Sequence, residues 1–297
     1  VKPPPFAYES PESLDSALAV LADAGDDAKP LAGGQSLIPL LNLRFASPAV
    51  LVDLNRLVDL AYVRVDGDTL RIGALTRHST VEHSPDVAEH HPLLAQAMRF
   101  VAHPQVRNRG TIGGTVAHAD PAAEVPLVML LSDARFTARS IRGEREITAR
   151  DFFLSIYTTT LEPDEIITEV SLPISPRRHD RARASSFREF ARRHGDYAIG
   201  GAAAIVELDA DGVCTDVRIG LLGAGGTPVE AGAGARAALV GSPVTADSVR
   251  AAAHEATADI SPPPTLHGDV GYRTTVITEM AMRALSGATN TAKEALA

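Results

Sequence analysis

Two pairs of adjacent glycines stand where a backbone could hold an anion: Leu31-Ala32-Gly33-Gly34-Gln35-Ser36 and Thr111-Ile112-Gly113-Gly114-Thr115. Neighbouring glycines remove two β-carbons and permit positive φ, so N–H groups can turn toward a negative group and approach it closely. Each run ends in a small hydroxyl residue, and neither is followed by the Lys that a nucleoside-triphosphate loop requires. Two such loops on one chain point to a diphosphate held by backbone and hydroxyl donors, as in a dinucleotide such as FAD. Just past the second pair stand Asp120 and Glu124. Carboxylates do not attract phosphate, but they accept hydrogen bonds from ribose or ribityl hydroxyls. Taken singly, Asp120 is equally well read as an Asp-Pro turn, and Glu124 as an acid favoured by the dipole of a first helical turn.

A third glycine-rich run, Gly220-Leu221-Leu222-Gly223-Ala224-Gly225-Gly226, lacks the Rossmann spacing and is followed by Thr227-Pro228 where a helix would have to open. It reads as a strand end and turn. Asp196-Tyr197 precedes an apolar strand, and in a chain with no Trp and few aromatics Tyr197 could stack on a planar ring or fill a seam between domains. The ten His residues show no tight ligand spacing, so no metal site is expected. Cys214 is the single cysteine, which excludes an internal disulfide and a four-cysteine iron–sulfur cluster; its alternating surroundings suggest a buried strand position.

These residues need elements to place them. Ser10-Pro11 ahead of Leu14, Ala17, Leu18 and Leu21 suggests a capped helix ending near Gly25. A strand at 29–32, a short helix at 36–43 and a strand at 49–54 then frame the first loop, with the helix dipole facing whatever the loop holds. Asp66-Gly67 reads as a hairpin turn between alternating segments. Helices are expected near 79–82, 91–101 and 123–131, and strands at 135–138, 146–148 and 166–172. Pro173, Pro176 and the basic run Arg177-Arg178-His179-Asp180-Arg181-Ala182-Arg183 mark a boundary, read as a solvated connector. Beyond it, strands at 198–208 and 213–222 and helices at 246–259 and 270–285 are expected. The irregular alternation of helices and hairpins gives an α+β class with mixed sheets. At 297 residues there is room for two domains, and the net charge of −9 argues against nucleic acid as the main partner. The first residues, Val1-Lys2-Pro3-Pro4-Pro5-Phe6, form no apolar leader, and no run approaches a membrane span, so a cytoplasmic protein is expected.

Ala32-Gly33-Gly34-Gln35-Ser36, Ile72-Gly73-Ala74-Leu75-Thr76, Gln105-Val106-Arg107-Asn108-Arg109-Gly110-Thr111-Ile112-Gly113-Gly114, Gly195-Asp196-Tyr197-Ala198 and Tyr272-Arg273 together carry a family likeness. The chain resembles the FAD-binding medium subunits of molybdenum hydroxylases, which include carbon monoxide dehydrogenase medium chains, quinoline oxidoreductase and the flavin domain of xanthine dehydrogenase. The resemblance implies a two-lobed, PCMH-type FAD-binding domain at 1–176, with lobes at about 1–57 and 58–176. It further implies a smaller α+β C-terminal domain at 177–297 with an antiparallel sheet packed on helices.

By the same resemblance, Ala32, Gly33, Gly34, Gln35, Ser36 and Leu37 together with Thr111, Ile112, Gly113, Gly114 and Thr115 enclose the FAD diphosphate. Glu124 falls where relatives carry an aspartate that bonds the ribityl chain, and Asp120 lies nearby. Tyr197 sits close to the isoalloxazine ring, with Asp196 orienting that region. No acid–base residue of this chain is implied in catalysis. Substrate is oxidised at a molybdenum–pterin cofactor on a large partner subunit. Electrons reach this FAD through two [2Fe–2S] clusters on a small partner and leave to an external acceptor, the assembly being a dimer of heterotrimers (a heterohexamer). The alternative is a self-sufficient FAD-dependent oxidase or reductase with its own substrate site.

Overall fold

Three main sheets carry the chain, and each arises from a different pattern of side chains. The computed structural model describes residues 2–176 and 179–297. Arg177 and Arg178, which open the basic run, lie outside the described residues.

The first sheet is parallel: β1 (Ala7–Glu9), β2 (Ala28–Leu31) and β3 (Val50–Asp53), in the order β1-β3-β2. Helix α1 (Leu14–Ala24) joins β1 to β2 and buries Ala17, Leu18 and Leu21 on one face. Its cap is Ser13, whose hydroxyl accepts from Ser16 N–H, rather than the expected Ser10. Helix α2 (Leu37–Leu43) joins β2 to β3. Strand β1 was not foreseen, because its three residues are all exposed and show no alternation.

The second sheet is antiparallel. It contains β4 (Val63–Asp66), β5 (Thr69–Gly73), β6 (Arg135–Ser140) and β7 (Gly143–Thr148). After a short hairpin, β8 (Phe153–Ser155) and β9 (Thr158–Thr159), strand β10 (Ile166–Pro173) returns to the middle, giving β4-β5-β10-β6-β7. The turn residues of the first hairpin are Gly67 and Asp68, since Asp66 pairs with Thr69; the turn is one residue later than expected, with Gly67 at φ +59°. Six helices fill the connection from β5 to β6: α3 (His78–Glu82), α4 (Pro85–His90), α5 (Pro92–Met98), α6 (Pro104–Arg107), α7 (Ile112–His118) and α8 (Glu124–Leu131). Every residue of α8 is buried, as befits a helix that is apolar all round. A further turn, α9 (Ala149–Phe152), follows β7.

The third sheet is antiparallel, in chain order: β11 (Arg181–Phe190), β12 (Gly200–Asp209), β13 (Cys214–Leu222) and β14 (Val229–Glu230). Here the described part of the basic run departs from expectation. Arg181 and Arg183 begin β11 and pair with Glu207 of β12 at 2.7 and 3.7 Å, so they tie two strands together instead of forming a solvated connector. Tyr197 therefore lies between the first and second strands of this sheet, not before its first. Helices α10 (Ala233–Ala237), α11 (Ala246–Ala256) and α12 (Val270–Leu296) complete the chain, α12 running well past the expected end at Leu285. Strand β12 is covered on both sides. Ala202, Ala204 and Val206 join the core under α11 and α12, while Ala203 and Ile205 join the core of the second sheet and α8. Small residues are needed for this: a β-carbon at Gly200 would stand 2.5 Å from Ile277 Cγ1 of α12. The run Gly220–Gly226 ends β13 in a turn with Gly223 at φ +70°, as its failed spacing suggested. Cys214 is fully buried, and burial pushes its thiol up to about 11. Among the described residues, no helix is long and apolar enough to cross a membrane.

Candidate functional site

The segment from Ala32 to Ser36 leaves β2 and enters α2 with its backbone held open. Gly34 takes φ +73°. Among the described residues, the N–H groups of Gly33, Gly34, Gln35, Ser36 and Leu37 find no acceptor; the first bond of the turn runs from Ile38 N–H to Gly34 O at 3.1 Å. Gln35 folds its amide back to donate to Gly33 O at 3.1 Å. A row of consecutive donors with nothing among the described residues to receive them is the form of an anion cradle.

The second glycine pair is built differently. Thr111 caps α7, its hydroxyl accepting from Gly114 N–H at 3.2 Å. Ile112 N–H donates to Thr76 O at 3.1 Å, Gly113 N–H to Ala74 O at 2.9 Å and Thr115 N–H to Thr111 O at 3.1 Å. The expectation that both loops offer free backbone donors thus holds only for the first. Gly113 and Gly114 serve close approach: a β-carbon at 113 would lie 2.9 Å from Ala74 O, and one at 114 would lie 2.7 Å from the capping Thr111 Oγ1. The second loop is a wall set against the first loop's donors.

Two side chains outside the glycine runs fix the two loops to each other. Asn55 Nδ2 donates to Ala32 O at 2.9 Å. Arg77 donates through Nη2 to Asn55 Oδ1 at 2.6 Å and through Nη1 to Arg109 O. Burial, and then the neighbouring charge of Arg109, lowers the Arg77 guanidinium from its ordinary value. His78 lies beneath the second loop, 3% exposed, with Nε2 3.0 Å from Thr111 O and 2.9 Å from Thr115 Oγ1. A carbonyl oxygen only accepts, so these partners assign the proton to Nε2. Burial pushes His78 down to about 4, which keeps it neutral.

Helix α7 starts at this wall and ends at a second cluster; its seven residues set the two about 10 Å apart. Asp120 is 7% exposed and accepts from Ala122 N–H at 2.9 Å, with Tyr157 O–H 3.4 Å from its other oxygen. The Tyr157 ring stacks on His118 with centroids 4.9 Å apart. Glu124, the first residue of α8, is buried; burial and then the charge of Asp120 raise its carboxyl well above the usual range. Tyr197 exposes 66% of its surface, and its hydroxyl feels the charges of Asp120, Tyr157 and Glu124. Enclosure and the carboxylate of Asp120 push that hydroxyl up to about 12. Glu189 of β11 is also held high, by burial and by Glu124.

The structure therefore gathers Ala32–Leu37 with Thr111–Thr115, and Asp120 and Glu124 with Tyr197. Asp196 is exposed, and its recorded bond is its N–H to Arg193 O at 3.1 Å. Asn55, Arg77, His78, Tyr157 and Glu189 were missed. Arg77-His78 directly follows Ile72-Gly73-Ala74-Leu75-Thr76, so that segment carried a signal. Tyr157 and Glu189 lie in strand and hairpin sequence with no pattern of their own.

Comparison with known proteins gives a consistent result. Residues 4–175 match the family described as FAD binding domain in molybdopterin dehydrogenase, and residues 185–288 match the CO dehydrogenase flavoprotein C-terminal domain. The chain is 46% identical over 293 residues to the 6-hydroxypseudooxynicotine dehydrogenase complex subunit alpha of Paenarthrobacter nicotinovorans, covering 99% of this chain and 97% of that one. It is 38% identical to the carbon monoxide dehydrogenase medium chain of Hydrogenophaga pseudoflava, with coverages of 96% and 98%. Among solved structures, quinoline 2-oxidoreductase from Pseudomonas putida 86 superposes with a TM-score of 0.93 at 36% identity, over 98% of this chain and 99% of that one.

Proposed function

Since the chain belongs to the family of FAD-binding medium subunits of molybdenum hydroxylases, we propose that it holds FAD along α7, the diphosphate between Gly33–Leu37 and Thr111–Thr115 and the ring beside Asp120, Glu124 and Tyr197. The observation that carries this reading is the row of N–H groups from Gly33 to Leu37 without acceptors. A diphosphate satisfies such a row with charge-assisted hydrogen bonds. Arg77 and Arg109 add positive charge behind it.

FAD supplies the electron chemistry when bound, and the protein's part is binding, orientation and exclusion of water. Asn55 and Arg77 keep the two loops at a fixed separation. Asp120 and Glu124 accept from hydroxyls of the ribityl chain, and Tyr197 lays an exposed ring against the flavin face. We divide the chain at 176/177, with the FAD-binding domain before it, in lobes of about 1–57 and 58–176, and the C-terminal domain after it.

Electrons arrive, in this reading, from two [2Fe–2S] clusters of a small partner and leave to an external acceptor in the cytoplasm. The clusters cannot reside here, because Cys214 is the only cysteine. A large partner carries the molybdenum–pterin cofactor and the substrate pocket, and the assembly is a dimer of heterotrimers. Relatives named for a nicotine derivative, carbon monoxide and quinoline match this chain over nearly its whole length. Substrate choice therefore lies with the large partner. The test is purification of the complex and of this subunit from it: one FAD per chain, bleached when substrate is added anaerobically, is the expected result. A colourless subunit, or substrate turnover by this chain alone, overturns the reading.

A further inference from the structure

Glu189 has no role in holding FAD in the proposed function, yet the fold aims it at the second cluster. Along β11 and β12 the registers run Phe187–Ala203 and Glu189–Gly201, and Gly201 in turn pairs with Leu222 of β13. Phe187, Ala203 and Leu222 all belong to the core shared with α8. Paired residues of neighbouring strands share a face, so Glu189 projects toward α8 and away from α12. Gly201 leaves the room it needs: a β-carbon there would be 3.0 Å from Glu189 Cβ. The charge that Glu189 meets is Glu124, at the start of α8.

Glu189 Oε2 is fully enclosed and has no hydrogen-bond partner among the described residues. Among the described residues, neither Glu124 nor Glu189 forms an ion pair with Lys, Arg or His. Arg188, the adjacent cation, turns to the other face, with Nη2 3.1 Å from where a β-carbon of Gly287 in α12 would stand. The titratable groups around the pair are Asp120 beside Glu124, Tyr157 and His118 beyond Asp120, and Tyr197 from the loop before β12. From α5 comes Gln96, which bonds Ser185 O and Phe187 N–H; Phe100, just beyond α5, packs on Phe187. Neither titrates. Enclosure and the charge of Glu124 both disfavour an ionised Glu189, and no cation among the described residues offsets them, so the two carboxyls do not readily carry two charges at neutral pH.

We propose that Glu124 and Glu189 hold one exchangeable proton between them, and that this pair is the group that takes up a proton when negative charge arrives at the neighbouring flavin ring. This rests on the reading of the second cluster as the ring site. The balance is simple. An electron pair passes one electron at a time from iron–sulfur donors of the partner to the flavin, and the carboxylate of the pair becomes a carboxylic acid with a proton from solvent. Reoxidation by the external acceptor returns that proton.

The experiment uses the intact complex and two variants, E189Q and E189D. In infrared spectra at neutral pH the wild type shows a carboxylic-acid carbonyl band, shifted in D2O, that is weakened and displaced in E189Q and kept in E189D. In spectroelectrochemical titrations, the flavin midpoint potential of the wild type changes with pH more steeply than that of E189Q. The excess approaches one proton per electron pair, tenfold per pH unit or about 30 mV, and E189D restores it. Equal slopes in wild type and E189Q with FAD fully bound, or an acid band unchanged in intensity and position in E189Q, overturn the proposal. The two readings fail separately. A complex without FAD overturns the function, and the infrared band then still decides whether the proton is shared.

Discussion

Gly33 and Arg109 lie far apart in the sequence, but their backbones meet: a β-carbon on Gly33 would strike the carbonyl of Arg109 and stand 2.7 Å from Gly110 Cα. This contact brings the donor row of the first loop against the wall of the second. Asn55 and Arg77 hold it from behind. Gly33 is thus required by close approach, while Gly34 is required by its φ of +73°.

Gly33→Ala should therefore separate the loops. Overpacking against backbone costs roughly 1–3 kcal/mol, and nothing flexible is present to yield. The expected outcome is a subunit that folds with a lowered midpoint of unfolding and loses most of its FAD on gel filtration, read as the flavin-to-protein absorbance ratio. Asn55→Ala should weaken FAD binding about tenfold with a smaller loss of stability, since a net hydrogen bond or two is worth about 1–2 kcal/mol. Full FAD retention in both variants would detach the loops from nucleotide binding.

Arg273 joins the C-terminal domain to the same site without touching it. It is 3% exposed and donates through Nε to Ile199 O at 2.8 Å, through Nη2 to Gly223 O at 3.0 Å and through Nη1 to Pro263 O. Gly223 N–H in turn donates to Pro121 O at 3.3 Å, beside Asp120. Among the described residues no carboxylate pairs with this guanidinium, and burial lowers its pKa. Arg273→Met would leave three carbonyls unpaired, at about 1–3 kcal/mol for each one fully desolvated. We expect a loss on the order of 3 kcal/mol or more in denaturant unfolding, with Arg273→Lys recovering only part. A change within experimental error for Arg273→Met would show that water replaces the guanidinium at no cost.

Much of this was legible in the residues, for reasons that also explain the gaps. The glycine pairs were visible because they break pattern, and α1, α2, α8 and the strands at β3, β10, β12 and β13 because their apolar residues recur at the right period. Strand β11 was hidden: its sequence RARASSFREF alternates charge with small residues, and its opening arginines resemble a linker until Glu207 is seen opposite. Strand β1 was hidden because it is exposed on a sheet edge. In the site, the second loop's amides looked like donors because sequence shows where side chains are missing, not where backbone groups are already bonded. Ala74, Thr76 and Thr111 take those bonds across the fold. Glu189 could not be found from spacing, since only strand register brings it to Glu124.

The acid side of the stability profile should be set in part by two histidines buried as neutral rings. His78 and His91 are each pushed down from 6.5 to about 4, chiefly by burial. Between these values the unfolded chain binds more protons than the folded one, so their contribution is fully present above pH 6.5 and is lost as pH falls toward 4. The loss amounts to about 3 kcal/mol for each ring at most. Glu124 and Glu189 have the opposite sign, because their raised folded values remove stability as pH climbs above 4.5. The quantity to read is therefore the difference between variant and wild type in urea unfolding of the flavin-free subunit, not either curve alone. His78→Leu should unfold more easily at neutral pH, having lost its bond to Thr111 O, but its deficit should shrink steadily as pH drops from 6.5 toward 4.5. His91→Leu should do the same independently. If the deficit of His78→Leu stays constant across that window, the ring is not held neutral, and the enclosed tautomer that supports the second loop is not the one assigned from its partners.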